Sequence, residues 1–416
     1  RFYMTTTNDT THQHFYVWTD DIYGEWSEPI YVDQSGIDPS LFFEDNKTYF
    51  MSNGIDDYGV SGIVQCEIDI ESGEKLTPSK TIWTGSGGRY LESPHMYKIN
   101  GKYYLVAAEG GTEYGHMVTY ARADSLYGKF EGYENNPVLT NRNLGGYEVQ
   151  GVGHGDLIQD NYGNWWLLHL GFRQSGQWEA YHHLGREVFL TPVIFGEDGW
   201  FTAGDNGRTT KNFEINYINN DVIQKEKKHY TFENTKWDND WCYLRIPNKK
   251  NYKLDKNKLI LKGTDITLDD VDSPTFIGIR QRDFNATISC NVEITDGEAG
   301  ITLYMDENHH YDLAIRKCEN GYEAIERLNI GDIKSVEKSI YLENKNNISL
   351  IINASNSYYS FSIKSENEES ILGYAKTRYL SSEVAGGFTG VVIGLYACAS
   401  NSFNYAEFTN FKCMYK

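Results

Sequence analysis

The sequence predicts an all-β chain, a run of β-propeller blades followed by a β-sandwich, and three observations carry that reading. Aromatic pairs recur at blade length: 47 residues separate Tyr3 from Phe50, 54 separate Phe50 from Tyr104, and 62 separate Tyr104 from Trp166. Periods of this size, filled with short alternating strands and turn residues, mark four-stranded blades. A polar residue stands twelve positions ahead of the pair in three consecutive repeats: Asp38 before Phe50, Glu92 before Tyr104, His154 before Trp166. After Gly204 the strands continue without a blade-length repeat, as a sandwich requires. The boundaries follow as 1–205 for the propeller, 206–229 for a linker rich in Asn, Lys and Thr around the apolar segment Ile215–Ile218, and 230–416 for the sandwich.

Taken in order, Phe2–Thr7, His14–Trp18 and Trp26–Val32 read as the later strands of one blade. The register puts that blade's axial residue ahead of Arg1, so the expectation is three full blades and a partial one with an exposed strand edge. An open edge invites pairing, which makes a homo-oligomer, or a second chain supplying the missing blade, a candidate partner. His12 and His14 are read as solvent-facing strand histidines, since no third metal ligand lies nearby in sequence. Blades then follow over residues 35–86, 87–145 and 146–205, with hairpin turns at Asp45-Asn46, Asn100-Gly101 and Asn161–Asn164. In the sandwich, Lys258–Leu261, Thr287–Val292, Gly300–Tyr304, Ile348–Ile352 and Val391–Tyr396 read as strands. Phe388 sits between glycines in a loop, placed either to reach a partner surface or to plug its own core.

Composition narrows the function. A net charge of −20 over 416 residues argues against nucleic acid and anionic membranes as partners. The apolar runs are too short to cross a bilayer as helices. The six cysteines include no Cys-x-x-Cys pair, which removes metal-finger spacing and favours a reducing, cytoplasmic setting over a secreted one. No Gly-x-Ser-x-Gly elbow or phosphate loop is present.

If the first strand of each blade lines the axis, Asp38, Glu92 and His154 point into one funnel from neighbouring blades. Two carboxylates there suit general acid–base hydrolysis of a glycosidic bond, one protonating the leaving oxygen. The donor must stay protonated near neutrality, and partial burial beside Asp38 would hold Glu92 in that state. The run Gly85–Gly88 then serves as the bend that delivers Glu92.

The ordered motifs Gly36-Ile37-Asp38-Pro39-Ser40-Leu41-Phe42, Gly88-Arg89-Tyr90-Leu91-Glu92-Ser93-Pro94-His95, Ala108–His116, Gly151-Val152-Gly153-His154-Gly155-Asp156 and His183-Leu184-Gly185-Arg186-Glu187 resemble those of glycoside hydrolase family 43. The resemblance implies a five-bladed β-propeller, N-terminally incomplete here, with a C-terminal β-sandwich as in the xylosidase branch. It implies an inverting exo-hydrolase that releases xylose or arabinose from the non-reducing ends of xylo-oligosaccharides or arabinosides. Glu92 would be the general acid and Asp38 the residue that raises its pKa and orients it. Arg186 would contact sugar hydroxyls, and Phe388 matches a loop that leans over the active site. His154 matches an axial histidine often found beside Ca2+ and its waters, and an axial residue hydrogen-bonded without metal fits that position equally well. The family's base, an Asp of the first blade, is expected outside these residues, and neither Asp156 nor Asp160 is assigned to replace it. A second reading is a non-catalytic sugar-binding or remnant protein that lacks the base.

Overall fold

The computed structural model describes residues 1–214, 227–230, 232–233, 237, 239–343, 348–365, 368–399 and 404–416. The apolar segment Ile215–Ile218 and most of the linker lie outside the described residues. The chain divides into two compact units, Arg1–Arg173 with Glu187–Asn216, and Gln174–Arg186 with Tyr217–Lys416.

The first unit holds four antiparallel sheets built from consecutive strands. A three-stranded sheet comprises β1 (Phe2–Thr7), β2 (His14–Thr19) and β3 (Ile30–Val32). Three four-stranded sheets follow. They are β4 (Ile37–Glu44), β5 (Lys47–Ile55), β6 (Ser61–Ile68) and β7 (Lys80–Trp83); β8 (Glu92–Ile99), β9 (Lys102–Glu109), β10 (Met117–Ala123) and β11 (Glu131–Gly132); and β12 (Val149–Gln159), β13 (Trp165–Arg173), β14 (Glu187–Phe195) and β15 (Phe201–Ala203). The first two predicted hairpin turns form as two-residue loops, and the third spans residues 160–164 between β12 and β13. Asp45 and Asn46 have φ of 50° and 62°, Asn100 and Gly101 have 50° and 77°, the left-handed pair of a type I′ loop.

The aromatic pairs of the second and third sheets recur because those sheets pack into a core on each face, and neighbouring residues of a strand point to opposite faces. Phe50 packs towards the first sheet with Tyr16 and Val32, while Tyr49 and Met51 pack towards the third with Tyr103 and Leu105. Tyr104 and Val106 face the fourth sheet with Leu157 and Leu167. Trp165 turns back onto that same core, and the Trp166 ring packs against Phe213, tilted, with centroids 5.6 Å apart. Truncating a ring such as Phe50, wholly buried, costs about 3–5 kcal/mol.

The second unit is a sandwich with one core between its two sheets. One sheet runs Phe276–Arg280, Val392–Cys398, Glu298–Asp306, His309–Cys318, Gly321–Ile330, Ile333–Leu342 in spatial order. The other centres on Tyr405–Tyr415, paired with Lys258–Lys262 and Ala286–Ile294. The segment Gln174–Arg186 lies between β13 and β14 in sequence yet packs within this unit. Ser175 donates to Asn356 Oδ1 (2.5 Å), Tyr181 and Thr377 share a 2.7 Å hydroxyl contact, and His182 Nδ1 lies 2.8 Å from Glu383 Oε1. All six cysteines are free thiols, and no helix among the described residues is long and apolar enough to cross a membrane.

Candidate active site

Each of the strands β4, β8 and β12 opens its sheet, and each is broken by a register shift at its candidate residue. The breaks fall between Ile37 and Ser40, between Glu92 and His95, and across Gln150 to Gly155. Within them Asp38, Ser93 and His154 adopt φ of 52°, 57° and 52°. Such left-handed non-glycine residues at bulges re-aim side chains and gather at functional sites. The twelve-residue count therefore holds in backbone terms for Asp38 and His154. In the third sheet the left-handed residue is Ser93, and Glu92 precedes it by one.

Strands β4 and β8 are tied by Ser40, whose hydroxyl donates to the Pro94 carbonyl at 2.5 Å. Asp38 and Glu92 are both partly buried. Burial first, and the charge of Asp38 second, hold the Glu92 carboxyl above its ordinary range. That is the pairing expected of a proton donor and its modulator.

Strands β8 and β12 are tied by residues that sequence reasoning did not single out. His95 Nδ1 lies 3.1 Å from Asp156 Oδ1, and the Tyr97 hydroxyl donates to the same oxygen at 2.7 Å. That hydroxyl also accepts from Leu157 N at 3.0 Å. Burial and the Asp156 charge push the Tyr97 phenol well up. The His95 ring stands 6.4 Å from the His154 ring, so Asp156, not assigned as the base, positions a second imidazole beside the first. Gly153 is required here: a Cβ would lie 2.4 Å from the buried His116 ring, whose Nδ1 is 3.0 Å from the Gly151 carbonyl.

The two N-terminal histidines part company. His12 is exposed in the turn before β2, whereas His14 is completely buried, correcting the solvent-facing expectation. Its Nδ1 meets Thr7 Oγ1 at 2.9 Å and its Nε2 meets the Ser35 carbonyl at 3.2 Å. Burial lowers its pKa against the opposing pull of the Ser35 carbonyl and, less, of Asp38. The signal was one hydroxyl-bearing residue, Thr7, opposite it in the hairpin, too common to read alone.

Arg186 and Phe388 both belong to the second unit, where the guanidinium carbon sits 5.1 Å from the Phe388 ring centroid. Phe388 is half exposed in its loop, so it is no plug of the core. Calcium prefers six to eight oxygen ligands. Among the described residues no three potential ligands gather, and Asp156 on His154's own strand is engaged by His95 and Tyr97.

Comparison with known proteins agrees with the all-β architecture. The profile of "Glycosyl hydrolases family 43" matches residues 1–201, and that of "Beta xylosidase C-terminal Concanavalin A-like domain" matches residues 229–414. A non-reducing end alpha-L-arabinofuranosidase of Bacteroides ovatus is 36% identical over 411 residues, covering 96% of this chain and 76% of that protein. A xylosidase/arabinosidase of Butyrivibrio fibrisolvens is 33% identical, with 99% and 83% covered. Among solved structures, "Bacteroides ovatus Xyloglucan PUL GH43B" superposes with a TM-score of 0.92 at 35% identity over 100% of this chain and 83% of that one. A xylan beta-1,4-xylosidase from Bacillus halodurans C-125 gives 0.89 at 27% identity, with 96% and 80% covered.

Proposed function

The chain belongs to glycosyl hydrolases family 43, and from that premise we propose that it is an inverting, exo-acting glycosidase releasing xylose or arabinose from non-reducing ends of hemicellulose chains. The observation that carries this reading is the Glu92 carboxyl, held towards its protonated form by burial and by Asp38. A sugar alkoxide is a poor leaving group, so bond cleavage requires a proton delivered to the glycosidic oxygen as the bond breaks. Glu92 supplies that proton, and Asp38 keeps it in place until then. The bulged openings of β4 and β8 aim the two carboxyls from adjacent sheets, and the Ser40–Pro94 hydrogen bond holds those openings together.

Inversion places a water on the opposite face of the sugar, activated by a second carboxylate; no residue of 1–416 is assigned that role here. Arg186 and Phe388 keep the sugar-contacting roles that family membership suggests, and His154 with His95 lines the axial end of β8 and β12. A water-bridged calcium beside His154 and a reducing compartment also belong to this proposal, the former tested by chelation with EDTA.

Anomer-resolved NMR of products from a β-xyloside and an α-L-arabinofuranoside tests the reaction. Inversion predicts α-xylose or β-arabinose as the first anomer, and the ratio of rates reports the preferred pentose. Retention of configuration would refute the mechanism. Xylobiose binding with no product would favour the sugar-binding reading instead.

A further inference from the structure

Resting on the acid role proposed for Glu92, we propose that Glu109 is a positioning residue whose carboxylate clamps the turn that delivers the acid. Glu109 ends β9 and is completely buried. Its Oε1 accepts from Ser86 N at 2.6 Å and Thr119 Oγ1 at 3.1 Å; its Oε2 accepts from Gly88 N at 2.5 Å and Ser86 Oγ at 3.1 Å. Two backbone N–H groups of one turn thus converge on a side chain, as they do on a bound anion in a nest. The glycines of the turn make room for it. A Cβ on Gly88 would lie 2.2 Å from Oε2, and one on Gly85 2.9 Å from Oε1.

The clamp sits next to the acid in the sheet. Glu92 pairs in register with Ala108, the residue before Glu109. Gly110 N donates to the Arg89 carbonyl at 2.6 Å, closing the stretch between. Inside that stretch Tyr90 has φ of 53°, and Ser93, just past the acid, has 57°. Both are unfavourable for side-chain-bearing residues and persist only where surrounding contacts hold them. Glu109 holds one end of this strained run and the β8–β9 ladder holds the other, with Glu92 at the join.

Glutamine cannot replace it without loss. Whichever way its amide turns, the NH2 faces a set containing one backbone N–H, which has no lone pair to offer. Relaxation of the run lets water reach Glu92 and lengthens its separation from Asp38, the two causes that hold its proton.

The test uses the full chain with 13C-labelled glutamate side chains, Glu92 being assigned by difference against Glu92→Gln. In Glu109→Gln the NMR titration midpoint of Glu92 is expected to fall towards an ordinary carboxyl. Gly88→Ala, which keeps the carboxylate but puts a methyl against it at an exposed turn, is expected to shift it the same way. kcat/KM on xylobiose is expected to drop about 10–100-fold in Glu109→Gln, the scale of a small misplacement of a catalytic group, with a much smaller drop on nitrophenyl xyloside. A purely structural role would lower the thermal midpoint and leave both the titration and the leaving-group contrast unchanged. An unmoved Glu92 midpoint in either folded variant overturns the proposal whatever the rates do. A shifted midpoint, with no leaving-group contrast in Glu92→Ala, would sustain the clamp and sink the acid role given to Glu92.

Discussion

Replacing Glu326 by glutamine should make the sandwich more stable above neutral pH and leave it little changed in acid. Glu326 lies on Gly321–Ile330 between Ala324 and Leu328, both of which face the inter-sheet core. It is only 2% exposed, and a Cβ on Gly373 would lie 2.0 Å from its Oε2. Burial, then the charge of Glu337, raises its pKa from the ordinary 4.5 to about 7, with Lys338 pulling the other way. Glu337 is the extra residue of a bulge opposite Glu326. The folded state therefore binds this proton more tightly than the unfolded chain does. The stabilisation is complete below pH 4.5 and is lost as the pH rises through about 7. At about 1.4 kcal/mol per unit, the loss by pH 9 is at most about 3 kcal/mol. Glutamine mimics the neutral acid at every pH and so escapes it. For a unit of this size about 1 kcal/mol moves Tm by about 2–4 °C. Calorimetry of the second unit's transition should show wild type and Glu326→Gln nearly coincident at pH 4.5 and separated by up to about 6–12 °C at pH 9. A gap that stays constant between those pH values would refute the reasoning.

Glu92→Ala is expected to lower kcat on xylobiose by about 10²–10⁴-fold, and far less on a nitrophenyl xyloside, whose leaving group departs unprotonated; equal losses on both would deny Glu92 the acid role. Asp38→Asn removes the charge that helps keep Glu92 protonated, so the alkaline limb of the pH–rate profile should move to lower pH, and a limb that stays put argues against the pairing. Tyr97→Phe strips Asp156 of one donor and Leu157 N–H of its acceptor; it should cost about 1–3 kcal/mol of stability, read as a fall in denaturation midpoint, and a neutral effect would mean water replaces the hydroxyl.

The sequence by itself determined the blade architecture, because two local periodicities of the backbone write it out. Consecutive strand residues face opposite sides, so a sheet buried on both faces demands pairs such as Tyr49-Phe50 and Tyr103-Tyr104. Two-residue hairpins demand left-handed tolerance, hence Asp45-Asn46 and Asn100-Gly101. The same regularity placed Asp38 and His154 at bulged positions and Glu92 within one residue of one. Tertiary structure alone decided what those side chains meet. His95 and Tyr97 reach Asp156 from about sixty residues away in sequence, and Glu109 reaches back to Ser86 and Gly88 across a hairpin. His14 looks like a surface residue until the Ser35 carbonyl closes over it. Gln174–Arg186 reads as part of a blade, yet Tyr181 and His182 find their partners at Thr377 and Glu383. Strand period and turn type follow from the geometry of a few adjacent peptide units, whereas these contacts follow from how separate sheets and loops pack, which no local pattern encodes.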